Sequence, residues 1–362
     1  MKILMTTDAV GGVWSYSMEL ARALAKSGVE IVLVTMGDAA SRAQRCEALS
    51  LSNVTLVEST YQLEWTPEPW DDVDRAGEWL LALERDTHPN VVHLNGYAHG
   101  ALPFAAPVIV VGHSCVYSWW QAVHGSEPPE EWWTYHERVK AGLAGADVVI
   151  APSWTMLDSL RSIYGVAMRG ARIIHNTRTG PFTPREKQPF VLAAGRLWDE
   201  GKNVATLARV APSLSWPVRV AGAAGESLPN VEWLGVLSAC AMAEQHGQAS
   251  IYCLPARYEP FGLTVLEAAL SSSALVLGDI ASLRELWDGA AIFVPPDDEA
   301  LLRSTLLSLI EDGQLRRHYG MLARERARVY DPQTFGRRYL ATYRELTTPV
   351  PQPIALAEGA RA

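Results

Sequence analysis

The residues best suited to chemistry lie in one stretch, RYEPFGLTVLEAAL, from Arg257 to Leu270. Two carboxylates, Glu259 and Glu267, bracket a Pro-Phe-Gly turn and the start of an apolar helix. The first amides of a helix have no partner within it, and together with the helix dipole they favour an anion. Gly262 lets that backbone approach a ligand with no Cβ in the way. The turn therefore offers the amides of Phe261, Gly262, Leu263 and Thr264 to a phosphate or to sugar hydroxyls. A carboxylate on either side accepts hydrogen bonds from vicinal hydroxyls. Thr264-x-x-Glu267 also spells a capping box, in which Glu267 merely satisfies a free amide, and the residues alone leave both readings open. Glu259, in a turn between a buried strand and a helix, needs partners once a second domain covers it.

A second signal is AAGRLWDEGKN, residues 193–203, which follows another strand. Arg196 offers a planar fork of donors and Lys202 a point charge, a pairing suited to a diphosphate, although basic residues on loops are more often simply solvated. A third is TTDAVGGVW, residues 6–14, where Gly11 and Gly12 sit at a strand-to-helix bend. Ordinary turn chemistry accounts for that glycine pair, and its spacing is not GxGxxG, so no dinucleotide fingerprint is present. His113 ends a strand in VVGHSC and reads equally as a core histidine. Trp119, Trp120, Trp132 and Trp133 crowd into one segment with Tyr135, either as a sugar-stacking acceptor platform or as packing between helices. Glu127, Glu130, Glu131 and Glu137 in that segment disfavour docking on an anionic bilayer. Asp72-Val73-Asp74 has the spelling of a metal-binding acidic pair, but reads as acidic residues opening a helix.

The elements that must position these groups follow from the hydropathy pattern. Short apolar runs alternate with longer amphipathic ones, the pattern of parallel sheets covered by helices. Strands are expected at KILMT, EIVLVT, VTLVE, VVHL, PVIVVG, DVVIA and ARIIH, then at PFVLAA, PVRVAG, VEWLG, SIYCLP, ALVLGD and AIFVPP. At 362 residues two domains are expected. The predicted division is 1–180, a connector at 181–190 with three prolines, 191–330, a helix at 331–348 packing back on the first domain, and a flexible tail at 349–362. The composition, 48% hydrophobic and 20% charged, is that of a packed globular chain, and the net charge of −9 argues against nucleic-acid binding. The four cysteines form no CxxC pair and read as reduced thiols. The first residues are too briefly apolar for a signal-peptide core, and no run is long enough to span a bilayer, so a cytoplasmic location is expected.

The paired glutamates with their Pro-Phe-Gly turn, the Arg196/Lys202 pair and the Gly11-Gly12 loop together resemble the retaining nucleotide-sugar glycosyltransferases of family 4, over nearly the whole chain. The resemblance implies an α/β fold of GT-B architecture, two doubly wound Rossmann-like domains facing across a deep cleft, with the acceptor on the first and the donor on the second. It implies that Glu267 holds the ribose hydroxyls, Glu259 lies beside the donor sugar, and Arg196 and Lys202 neutralise the departing diphosphate. Amides from Phe261 to Thr264 would touch sugar and phosphate, Gly11 and Gly12 would approach from the other domain, and Gly235 and Val236 would lie near the base. His113 matches the active-site histidine. The implied partners are a nucleotide-sugar donor and a carbohydrate or lipid-linked acceptor, with no metal and no resident cofactor. The sequence departs from the family at three places: Lys202 follows Arg196 by six residues rather than five, HNTRTG at 175–180 replaces an Asn-Gly, and SSSALV at 271–276 replaces a Cys-Gly turn.

No side chain stands out as a nucleophile, so front-face attack with retention is the expected course, giving an α-linked product from an α-linked donor. The rival readings are a sugar phosphorylase or nucleotide-sugar epimerase of the same architecture, and a non-catalytic nucleotide-sugar-binding subunit. A phosphorylase needs a second anion site, for which the sequence offers no spare basic cluster. A silent binding subunit has no need of Glu259, Arg196 and Lys202 together. A dehydrogenase fails on the glycine spacing.

Overall fold

The computed structural model describes residues 1–223 and 229–348; the expected tail, 349–362, lies outside them. Among the described residues the chain forms two parallel sheets. The first holds β1 (Lys2–Asp8), β2 (Glu30–Met36), β3 (Val54–Val57), β4 (Val91–Leu94), β5 (Val108–Val111), β6 (Val148–Ala151) and β7 (Arg172–Ile173). Its spatial order is 3-2-1-4-5-6-7. The second holds β8 (Gln188–Ala194), β9 (Val218–Ala221), β10 (Glu232–Gly235), β11 (Ala249–Leu254), β12 (Ala274–Gly278) and β13 (Ile292–Val294), in the order 10-9-8-11-12-13. Both are doubly wound, and both reverse their winding beside the first strand of the domain, between β1 and β4 and between β8 and β11. Such a switch point leaves a crevice at the carboxyl ends of the strands.

The strands are apolar on both faces because helices cover both. Ile3 and Met5 enter one core layer of the first domain while Leu4 enters the other. In the second domain Leu192 and Ala194 enter one layer, Val191 and Ala193 the other. The runs expected to be strands all appear. The connector is shorter than expected: residues 188–190 already belong to β8, where Gln188 pairs with Ala249 of β11 and Phe190 joins the core.

The last helix, Pro332–Thr347, is capped by Asp331, whose carboxylate accepts from the amides of Gln333 and Thr334. It returns to the first domain. Phe335, Tyr339 and Tyr343 enter the first-domain core against Tyr16. The hydroxyls of Tyr16 and Tyr343 bond the two ring nitrogens of buried His93 on β4, at 3.2 and 2.7 Å. Burial drives the pKa of His93 down to about 3, so this histidine is a neutral bridge between sheet and helix.

Candidate active site between the domains

The carboxyl edges of the two sheets face each other, and the residues singled out in the sequence gather there. Gly11 and Gly12 follow β1, His113 follows β5, Arg196 and Lys202 follow β8, and the Arg257–Leu270 stretch follows β11. A Cβ on Gly11 would stand 3.6 Å from Nη1 of Arg196, and one on Gly12 would stand 3.4 Å from Cδ1 of Leu263. The double glycine of one domain thus abuts both the basic loop and the helix tip of the other. The φ of +79° at Gly11 is a second reason for glycine there.

The helix Leu263–Leu270 begins directly after Gly262, whose φ of +84° disfavours any other residue. No side chain caps this helix, so its first amides are left for a ligand. The capping-box reading is overturned. Thr264 lies inside the helix and accepts a hydrogen bond from the Tyr252 hydroxyl at 2.7 Å. Glu267 points away from its own helix start and takes the Arg178 guanidinium at 2.6 Å. Phe261 contributes only backbone to the edge, since its ring is buried against Tyr330.

Each cation of the basic loop is tethered by a carboxylate. Lys202 donates to Glu259 at 2.6 Å, with both side chains mostly enclosed. The sixth-residue spacing therefore still brings Lys202 to the glutamate loop, because the turn Glu200–Lys202 folds back and the carbonyl of Gly201 accepts from the amides of Arg257 and Tyr258. Arg196 donates to Asp199 at 3.0 Å and lies over the Trp198 ring. Burial resists ionisation of Asp199, but Lys202, the Trp119 indole and Arg196 outweigh it and hold its carboxyl below the usual range.

The first domain supplies neutral groups. His113 donates from Nε2 to Oδ1 of Asn95 at 2.8 Å. The orientation of that amide is fixed, because Nδ2 of Asn95 donates to the carbonyl of Thr6 at 2.7 Å. The His113 proton is thus on Nε2, leaving the lone pair of Nδ1 as an acceptor. Burial pushes its pKa down to about 3, so the ring is uncharged at working pH. Asp8, at the end of β1, accepts from the amide of Val10 at 2.8 Å. Burial raises its pKa to about 7, against the pull of that amide and of Arg196.

The tryptophans separate. Trp119 donates its indole N–H to Asp199 across the domain seam at 2.9 Å. Trp120 packs on His124 and Trp132 edge-on to Tyr135. Trp133 is 61% exposed and stacks on His136, beside a groove of about 840 Å³ lined also by Tyr117, Gln121 and Ile163. Gly235 accepts from the amide of Gly222, and Val236 beside it is 78% exposed. Asp72 and Asp74 lie in the first turns of the helix Trp70–Thr87, paired with Arg75 and Arg138.

Sequence reasoning missed several residues of this edge. Asp8 and Asn95 are the last polar residues of strand-like runs, TTD and VVHLN, and that position was the available signal. Tyr258, inside the glutamate stretch, crosses to the first domain, where its hydroxyl reaches Ser118 at 2.8 Å and accepts from the amide of Cys115. Ser153 donates to the carbonyl of Pro260 at 2.8 Å, and Glu285 of the second domain accepts from the amides of Trp154 and Thr155 at a first-domain helix start. No pattern in the sequence announces these seam contacts.

Residues 10–177 match the family model described as Glycosyltransferase Family 4, and residues 188–312 match that described as Glycosyl transferases group 1. The chain is 25% identical to a glycogen synthase of Mycobacterium tuberculosis over 97% of each chain. It is 28% identical to a phosphatidyl-myo-inositol mannosyltransferase of Mycolicibacterium smegmatis, over 58% of each chain. Among solved structures it superposes on sucrose-phosphate synthase of Thermosynechococcus elongatus with a TM-score of 0.80 at 19% identity, covering 96% of this chain and 99% of that one. Anabaena HepE in complex with UDP-glucose follows at 0.75 and 15%, covering 95% and 100%. At those identities the structural likeness speaks for the fold: two facing Rossmann-like domains, the GT-B architecture.

Proposed function

The chain belongs to the glycosyltransferases of family 4 and group 1, and on that premise we propose that it moves a hexosyl unit from a nucleoside-diphosphate sugar to a hydroxyl of a glycan, sugar or lipid-linked acceptor, with retention and without a metal. The observation that carries this reading is the arrangement of Lys202 and Arg196 beside the uncapped helix tip, facing the double glycine of the other domain.

A leaving diphosphate gains negative charge as the glycosidic bond breaks, so donors fixed in advance stabilise the transition state more than the ground state. The carboxylates of Asp199 and Glu259 hold the two cationic heads in place before the ligand arrives. In this reading Glu267 holds the ribose, Glu259 lies beside the transferred sugar, and the glycine loop lets the diphosphate approach the first domain. Gly235 and Val236 lie at the base end. His113, uncharged and with a free Nδ1, accepts a hydrogen bond from a sugar hydroxyl. The acceptor oxygen bonds to the anomeric carbon on the face the diphosphate leaves. The carbon–oxygen bond to phosphate breaks, and the acceptor proton passes to the departing phosphate oxygen.

Two measurements test this. A melting-temperature screen against UDP-, ADP- and GDP-sugars should single out a donor by mass-action stabilisation. NMR of fresh product from an α-linked donor should show an α linkage; a β linkage contradicts front-face retention.

A further inference from the structure

The HNTRTG segment, where the chain departs from the family's Asn-Gly, carries a clasp that joins the domains. Arg178 donates through Nε to Oε1 of Glu267 at 2.6 Å and through Nη1 to Oε1 of Glu19 at 3.0 Å. Glu19 belongs to the first-domain helix Gly12–Leu24 and is 1% exposed, and its other oxygen accepts from the Thr179 hydroxyl. Glu267, on the donor-side helix, is 6% exposed. One guanidinium, itself mostly enclosed over the Phe182 ring, thus serves a buried carboxylate from each domain.

The geometry leaves Glu267 half used. Oε1 is taken by Arg178. Oε2 accepts no hydrogen bond among the described residues. Fully buried His246 makes an ion-pair contact from Nε2 to Oε2 at 3.2 Å, short of hydrogen-bond alignment, and its Nδ1 has no partner among the described residues. Thr264, on the same helix, makes no hydrogen bond to Glu267 among the described residues; its oxygen accepts from Tyr252. The aim of Glu267 is therefore set from outside its own helix, by an arginine whose other edge is fixed to the opposite domain. Burial opposes its ionisation, yet the neighbouring His246 and Arg178 keep its carboxyl below the usual range, as a charged acceptor.

We propose that Arg178 is a positioning residue for the donor: it turns the free oxygen of Glu267 toward the ribose diol, and does so only while Glu19 holds its other edge. Ribose affinity is thereby coupled to the relative placement of the two domains. The inference rests on the reading of Glu267 as the ribose-binding group.

The test uses the full chain and two matched sets of probes, UDP, ADP and GDP against their 2′-deoxy counterparts, in Arg178→Gln, Arg178→Lys, Glu19→Gln and Glu267→Gln. A purely structural ion pair has no effect on the ratio of ribo to deoxy affinity. The expected result is a preference of about tenfold or more for the ribonucleotide in the parent protein, reduced to about twofold by Arg178→Gln and by Glu267→Gln. Glu19→Gln should give an intermediate ratio, and Arg178→Lys should restore part of it. If Arg178→Gln folds and keeps the parental ratio while Glu267→Gln abolishes it, Arg178 is structural only and the proposal falls. If Glu267→Gln also keeps the ratio, the ribose reading itself fails. Should Arg178→Gln not fold, Glu19→Gln carries the test, since it retains the guanidinium between its two partners; an unchanged ratio there overturns the coupling.

Discussion

The two switch points share a topology and differ in charge. At β8 and β11 the edge is built from ions: Arg196 with Asp199, Lys202 with Glu259, and Glu267 with Arg178. At β1 and β4 it is built from neutral or nearly neutral groups: two glycines, Asn95, an uncharged His113, and Asp8 with its pKa raised to about 7. A dinucleotide-binding winding thus does not by itself make a phosphate site. In the proposed reading, the fixed opposite charges of the second domain organise cations for an anionic leaving group, and the small and polar surfaces of the first let that anion come close without a competing full charge.

That contrast makes graded predictions. The largest effect belongs to the cations. Arg196→Gln and Lys202→Gln should each lower kcat/KM by about 10²–10³-fold, the usual cost of deleting a fixed transition-state donor. Lys202→Gln also leaves Glu259 enclosed without its counter-ion, so its melting curve must be recorded beside the kinetics to separate folding from chemistry. Next come the neutral partners. Asn95→Leu removes the acceptor that fixes the His113 tautomer, so Nδ1 no longer always offers its lone pair, and kcat should fall by about tenfold, the cost of one misdirected hydrogen bond. Because burial holds His113 near 3, the parent rate should show no histidine inflection between pH 5 and 8; an inflection near 6.5 that disappears in His113→Ala breaks the assignment of a neutral ring.

The sheets were legible in the sequence because their central strands, such as β1, β5, β6, β11 and β12, are buried on both faces and read as largely apolar runs. The glutamate stretch and the basic loop were legible for a different reason: each combines a strand end, a turn and charged groups within about a dozen residues. What escaped was assembled from a distance. Arg178 meets Glu267 across 89 positions, Trp119 meets Asp199 across 80, and Asn95 reaches His113 only because β4 and β5 are neighbours. The bond from Trp119 to Asp199 was not legible, because an indole N–H satisfied by a partner domain looks the same in sequence as one awaiting another partner. The capping box failed because a matching four-residue spelling does not fix where a helix begins, and Gly262 starts this one two positions before Thr264.

A smaller effect comes from Asp8. Its folded pKa is raised above the ordinary 3.8, so its contribution to stability is fully present below that value and is lost as pH rises through about 7. The ionised form also competes for Arg196. Affinity for a nucleotide sugar, whose diphosphate diester does not titrate in this range, should fall several-fold between pH 6 and 8. Asp8→Asn should flatten that slope, and a slope that persists in the variant contradicts the role of Asp8. The smallest effect is expected at the seam. Trp119→Phe removes one hydrogen bond to Asp199, worth about 1–2 kcal/mol, and should lower the melting temperature by a few degrees. Its acceptor KM should be unchanged; a large rise returns this tryptophan to the acceptor site.

The most direct measurement is the crystal structure of the chain with the nucleoside diphosphate that stabilises it most. The account predicts phosphate oxygens within hydrogen-bonding distance of Arg196, Lys202 and the first amides of the helix Leu263–Leu270, with the glycine loop opposite. A nucleotide bound elsewhere, with both cations still held only by Asp199 and Glu259, contradicts it.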